Sequence, residues 1–140
     1  MDLRPLSLLF CCLLLSGCGS EYANKEIFGT VTVGDERVEL GSVRFVPIDG
    51  TAGSAGFSLI VDGEYRIKAR GGMAPGRHRV EIKAERKTGR RVRGMLYGEE
   101  GEIDETVPIG PTRYCGSKSP LVVEVTADSA GKFDLILPSD

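Results

Sequence analysis

The chain has 140 residues, 41% of them hydrophobic and 27% charged, with a formal net charge of −2. That length supports one core of ordinary size and leaves little room for a second domain. The near-neutral balance excludes any global attraction to nucleic acid or to an anionic membrane surface.

The chain opens as an export signal. Arg4 and the terminal amine stand against Asp2, and residues 6–15 form an apolar run broken only by Ser7. As a helix that run reaches roughly 15 Å, half of a bilayer core of about 30 Å. A short apolar run behind a weakly positive start reads as a secretory signal, not a transmembrane helix. It closes on Leu15-Ser16-Gly17-Cys18, which resembles the bacterial lipobox. The resemblance implies a signal peptide over residues 1–17 and a diacylglyceryl thioether on Cys18. It also implies cleavage before that cysteine, then N-acylation. Several acyl chains give stable membrane anchoring where one holds only marginally. The expected location is the cell envelope, on a membrane, facing periplasm or cell surface. Residues 18–26 are small and polar and read as a tether. Asp is absent from the second mature position, so an enterobacterial inner-membrane retention signal is missing and the choice of membrane stays open.

Cysteine use bears on what holds the domain together. Of Cys11, Cys12, Cys18 and Cys115, only Cys115 is left in the mature domain once the signal is cut and Cys18 carries lipid. No disulfide can then form within the chain, despite an oxidising destination. The core alone must hold the fold, and Cys115 is expected to be buried and inert. Removal of residues 1–17 takes Asp2 with Arg4, so the charge stays at −2.

From residue 27 onward the pattern is β. Ile27, Val31 and Val33 alternate with Thr30 and Thr32, and Val43 and Phe45 flank Arg44. Tyr65, Ile67 and Ala69 alternate with Arg66, Lys68 and Arg70. Val80, Ile82 and Ala84 alternate with Arg79, Glu81, Lys83 and Glu85. Leu121, Val123 and Val125 follow, then Phe133, Leu135 and Leu137. Such alternation gives each strand one wet face and one core face. Turn chemistry separates the runs: Gly34-Asp35, Leu40-Gly41-Ser42, Asp49-Gly50, Asp62-Gly63, Pro75-Gly76, Thr88-Gly89 and Ala130-Gly131. Asp62-Gly63 is a two-residue hairpin signal; too few carboxylates surround it for a calcium loop. Tyr65 is expected at the core edge, its hydroxyl reaching a backbone group. Residues 88–119 break the rhythm and read as a long irregular loop, basic at first and then acidic.

The order of these features carries a resemblance. Gly29-Thr30-Val31, a Gly-Asp turn, and Gly41-Ser42-Val43-Arg44-Phe45-Val46-Pro47 come first. Asp62-Gly63-Glu64-Tyr65 and Ala74-Pro75-Gly76-Arg77-His78-Arg79-Val80-Glu81-Ile82 follow. Together they resemble the transthyretin-like, carboxypeptidase-regulatory-like domains of bacterial lipoproteins, especially those of planctomycetes. The resemblance implies an all-β fold, a prealbumin-like antiparallel β-sandwich of about seven strands, over residues 27–140. It implies no catalytic residues. Cys115-Gly116 after Tyr114 departs from the polar residue that pattern leads one to expect.

Chemistry is sparse. One histidine and one mature free cysteine do not make a zinc set, so no metal and no cofactor is expected. His78, between Arg77 and Arg79, reads as an exposed strand residue. Cys115 with His78 is the one Cys/His pair left, and nothing local brings the two together. No glycine pattern follows a strand and opens a helix, so a phosphate cradle is absent. The sequence therefore reads as a non-enzymatic, lipid-anchored structural or protein-interaction module. The alternative is an envelope carbohydrate-binding module that uses the charged loop, with Arg90, Arg91 and Arg93 as candidate contacts. Against that stands neutralisation of these cations by the acidic run from Glu99 to Glu105. The expected partners are the membrane, through Cys18, and an envelope protein or polysaccharide, but no nucleic acid.

Overall fold

The computed structural model describes residues 23–139. Among the described residues nine strands follow one another: β1 (Ile27–Val33), β2 (Glu36–Arg37), β3 (Leu40–Pro47), β4 (Gly56–Val61), β5 (Glu64–Ile67), β6 (Gly76–Leu96), β7 (Glu99–Pro108), β8 (Val122–Val125) and β9 (Leu135–Leu137). Helix is confined to two 3₁₀ turns, Ala69–Gly71 and Thr112–Tyr114, among the described residues. The strands form one sheet in the order β2-β1-β5-β4-β3-β6-β7, with β8 added to β6 and β9 to β1. Pairing is antiparallel except between β1 and β9. The sheet curls into a half-barrel, an all-β architecture.

Alternation builds the core. Along β1 every second side chain is buried, from Ile27 to Val33. Val43 and Phe45 of β3, Ile60 of β4, Tyr65 and Ile67 of β5, and Val80, Ile82 and Ala84 of β6 join them. Val125, Leu135 and Leu137 close the cluster. Phe45 is its aromatic hub: its ring lies 6.0 Å from Tyr65, 6.4 Å from Phe133 and 6.5 Å from His78. Burying a side chain of this size contributes about 1.5–3 kcal/mol. The Tyr65 hydroxyl donates to the Phe133 carbonyl at 2.7 Å, as expected of a tyrosine at a core edge.

Two-residue turns make three tight hairpins, Gly34-Asp35 between β1 and β2, Asp62-Gly63 between β4 and β5, and Tyr97-Gly98 between β6 and β7. Asp62 and Gly63 have φ of 51° and 77°, and Tyr97 and Gly98 have 53° and 87°. Two positive φ values in succession match the twist of the flanking strands. The Asp-Gly pair announces its turn in the sequence; Tyr97 does not, because a tyrosine rarely accepts positive φ.

Six expectations change. Residues 88–119 are not one irregular loop: β6 runs through to Leu96 and returns through the Tyr97-Gly98 turn as β7, and beyond that turn only residues 109–119 lie outside the strands. Leu40-Gly41-Ser42 is strand, not turn. Gly41 stands where a Cβ would lie 2.0 Å from the Lys83 carbonyl oxygen, so close strand approach explains the glycine. The strand read through Ala69 ends at Ile67, and a 3₁₀ turn follows. His78 is fully buried, and Cys115 is exposed. The tether assigned to residues 18–26 is also shorter than that, since Lys25 pairs with Met73 and its ammonium reaches the Ala127 carbonyl at 2.9 Å. Residues 18–22, and with them Cys18, lie outside the described residues.

Candidate interaction surface

Register fixes where the exposed features sit. Ile27 pairs with Ile67, Val61 with Glu64, Leu40 with Val61, and Leu40 with Glu85. β1 and β6 therefore run in the same direction along the sheet. The chain enters the domain at one pole, and β6 leaves by the other. Beyond Glu85, β6 has β7 as its strand partner through the turn at Tyr97-Gly98. At about 3.3 Å per residue, this two-stranded arm extends roughly 30 Å past the body of the sheet.

The basic run lies along this arm and meets its acids across the hairpin. Asp104 takes Lys87 at 3.1 Å and Arg91 at 3.5 Å. Glu105 accepts from the Thr88 hydroxyl at 2.6 Å and faces Arg90 at 3.9 Å. Arg86 reaches Glu36 at 3.3 Å. Of the three arginines singled out by sequence, Arg90 and Arg91 are thus matched internally. Arg93 lies opposite Glu102 in register without an ion pair among the described residues. Exposed pairs of this kind contribute about 0.2–1 kcal/mol each and set register more than stability.

Apolar side chains end the arm. Met95, Leu96 and Tyr97 are exposed, Tyr97 almost completely at 98%. Half-buried Val92 faces Ile103 below them. On the sheet body, the outer side of β4 presents Phe57, Leu59 and Val61, all more than half exposed. Arg44 lies opposite Phe57 in register, and the Arg66 guanidinium sits 4.8 Å over the neighbouring Phe28 ring. Three large apolar groups in succession on one strand face form a contiguous patch, the kind of surface that marks contact with another molecule. Composition alone missed it, because period-2 alternation does not say which face is covered.

The titratable groups tell a different story. His78 Nδ1 donates to the Gly76 carbonyl at 3.1 Å, while Nε2 has no partner among the described residues. Burial pulls its pKa below the ordinary value, and the Gly76 hydrogen bond opposes that in part. Asp134 accepts from the Thr30 amide and hydroxyl, both at 3.0 Å, which holds its pKa below the usual carboxylate value. Burial, reinforced by the nearby Asp134 charge, raises that of Tyr65. Ser119 Oγ donates to the Val80 carbonyl at 2.6 Å and braces the β6–β8 junction. Each of these contacts is accounted for by the fold. No group of three or more His, Cys, Asp or Glu side chains is placed to hold a metal ion, among the described residues. No helix among them is long and apolar enough to cross a membrane.

The chain matches no protein-family model, no curated protein and no solved structure.

Proposed function

We propose that the protein is a lipid-anchored envelope lipoprotein whose domain is a non-catalytic interaction module. On this reading the domain is a prealbumin-like β-sandwich of the transthyretin-like kind, and Cys18 carries the lipid. The observation that supports it best is the placement of the arm. The chain reaches the sheet at Lys25 and Ile27, and the apolar tip at Met95, Leu96 and Tyr97 leaves from the opposite pole. A lipid at the amino-terminal side then directs the tip away from its own membrane, where a protein partner is met and lipid is not. The polysaccharide reading is the weaker one. Arg90 and Arg91, its best contacts, already face Glu105 and Asp104.

The test has two parts. In the native host, labelled palmitate enters the parent protein and not Cys18→Ser, and the variant accumulates as an uncleaved precursor. Crosslinking through the arm of the anchored protein gives a discrete protein adduct. That adduct declines when Met95 and Tyr97 are both changed to Ser. Normal processing and membrane retention of Cys18→Ser refutes the anchor. An adduct indifferent to the arm substitutions refutes the arm as the contact.

A further inference from the structure

β6 outruns the strand beside it. On one edge β3 stops pairing at Leu40, opposite Glu85. Past that point, β6 pairs with β7 alone among the described residues. The place next to the arm that a longer β3 would fill is bare.

Backbone alternation says which groups face that gap. On the β3 side, the Arg77 carbonyl accepts from the Ile48 amide at 3.0 Å, and the Lys87 amide donates to the Glu39 carboxylate at 3.1 Å. On the opposite side, the Val80 amide donates to Leu121, and the Ala84 carbonyl accepts from Ile109. Odd-numbered residues of β6 therefore turn their backbone toward the β3 edge. The irregularity between Lys87 and Arg91 adds two residues on β6 relative to β7 and keeps this alternation. The N–H and C=O groups of Arg91, Arg93 and Met95 point outward along the bare edge, as the widely spaced positions of an antiparallel ladder do. Such a row is a template for another strand.

Charge selects what that strand is. Residues 86–96 hold Arg86, Lys87, Arg90, Arg91 and Arg93 and no acid. β7 holds Glu99, Glu100, Glu102, Asp104 and Glu105 and no base. A two-fold pairing of two copies through their β6 edges sets arginine against arginine, and through their β7 edges acid against acid. Both repel. A copy in the same orientation, laying its β7 on this edge, would sit about two strand spacings away, roughly 10 Å, and its domain would overlap this one. The chain itself demonstrates the favoured complement: the strand that this basic segment already accepts on its other edge is acidic. Arg93, without an ion pair among the described residues, is the cation free to meet a second one.

We propose that the bare edge of β6 over residues 91–96 docks an extended acidic segment of a partner protein, added as a strand beside Arg91, Arg93 and Met95. This deepens the interaction-module reading and does not depend on the lipid. Main-chain hydrogen bonds supply the affinity, and the arginines select the charge.

The probe is a fluorescent peptide with the sequence of β7, EEGEIDETVP, added to the full chain in detergent. The expected result is saturable binding that weakens with salt. The neutral analogue QQGQINQTVP binds at least tenfold more weakly. Arg93→Pro removes one outward N–H without touching the β7 ladder, and lowers affinity about tenfold. Arg93→Glu lowers it too, and serves if the proline variant loses its far-ultraviolet spectrum. Hydrogen exchange slows at Arg91, Arg93 and Met95 on peptide addition. Absence of saturable binding, equal binding of the neutral peptide, or indifference to both Arg93 variants overturns the proposal. So does a dimer of the free chain in sedimentation that Arg93→Glu disrupts. If the peptide fails while the crosslinked adduct persists, only the edge proposal falls; if the adduct is also missing, the interaction-module reading falls with it.

Discussion

Acidification weakens this fold through His78. The chain holds one histidine, and it is fully buried beside Phe45, with Nε2 unpartnered among the described residues. Burial disfavours the imidazolium and pulls the folded pKa down, against the smaller opposing pull of the Gly76 carbonyl. In the unfolded chain the ring titrates near 6.5. The unfolded state therefore binds more protons than the folded state between the lowered value and 6.5, and stability rises with pH across that window. The contribution is complete well above pH 6.5. It is lost as pH falls through 6.5 and levels off below the folded pKa. One proton sets the steepest slope at about 1.4 kcal/mol per pH unit. Urea unfolding of the full chain at pH 8, 7, 6 and 5 measures it. The parent midpoint holds from pH 8 to 7 and drops between 6 and 5. In His78→Leu the drop is absent, because the leucine fills similar space and has nothing to titrate. A parent whose stability is flat from pH 8 to 5, or a leucine variant with the same drop, refutes the reasoning. Asp134 does not blur the window. Its lowered pKa makes its contribution disappear only as pH falls below the ordinary carboxylate range.

Tyr65→Phe removes the donor to the Phe133 carbonyl and costs about 1–2 kcal/mol in denaturant unfolding. Gly41→Ala drives a Cβ into the Lys83 carbonyl. It destabilises by about 3 kcal/mol or more, read as a large fall in midpoint, because neither backbone can yield within the β3–β6 ladder. Cys115 is exposed, so native protein reacts with a maleimide as fast as urea-unfolded protein; protection of tenfold or more contradicts the placement.

Sequence alone was enough for the class and for most of the core. Ile27, Val31, Val43, Phe45, Val80 and Ile82 are buried because strand geometry sends alternate side chains one way, and water rejects the apolar set. The Asp62-Gly63 turn and the reach of the Tyr65 hydroxyl were legible for the same local reason, since backbone preference and side-chain chemistry act over a few residues. The arm was not legible. Both of its faces are wet, so its apolar alternation is thin, and its order comes from acids on β7 meeting bases on β6 across a turn that Tyr97 disguises. The burial of His78 and the exposure of Cys115, Phe57, Leu59 and Val61 were likewise decided by the tertiary structure. A strand specifies two faces by itself, but which face is covered depends on the layer that curls over it. Whether an edge stays bare depends on where its neighbour in the sheet ends.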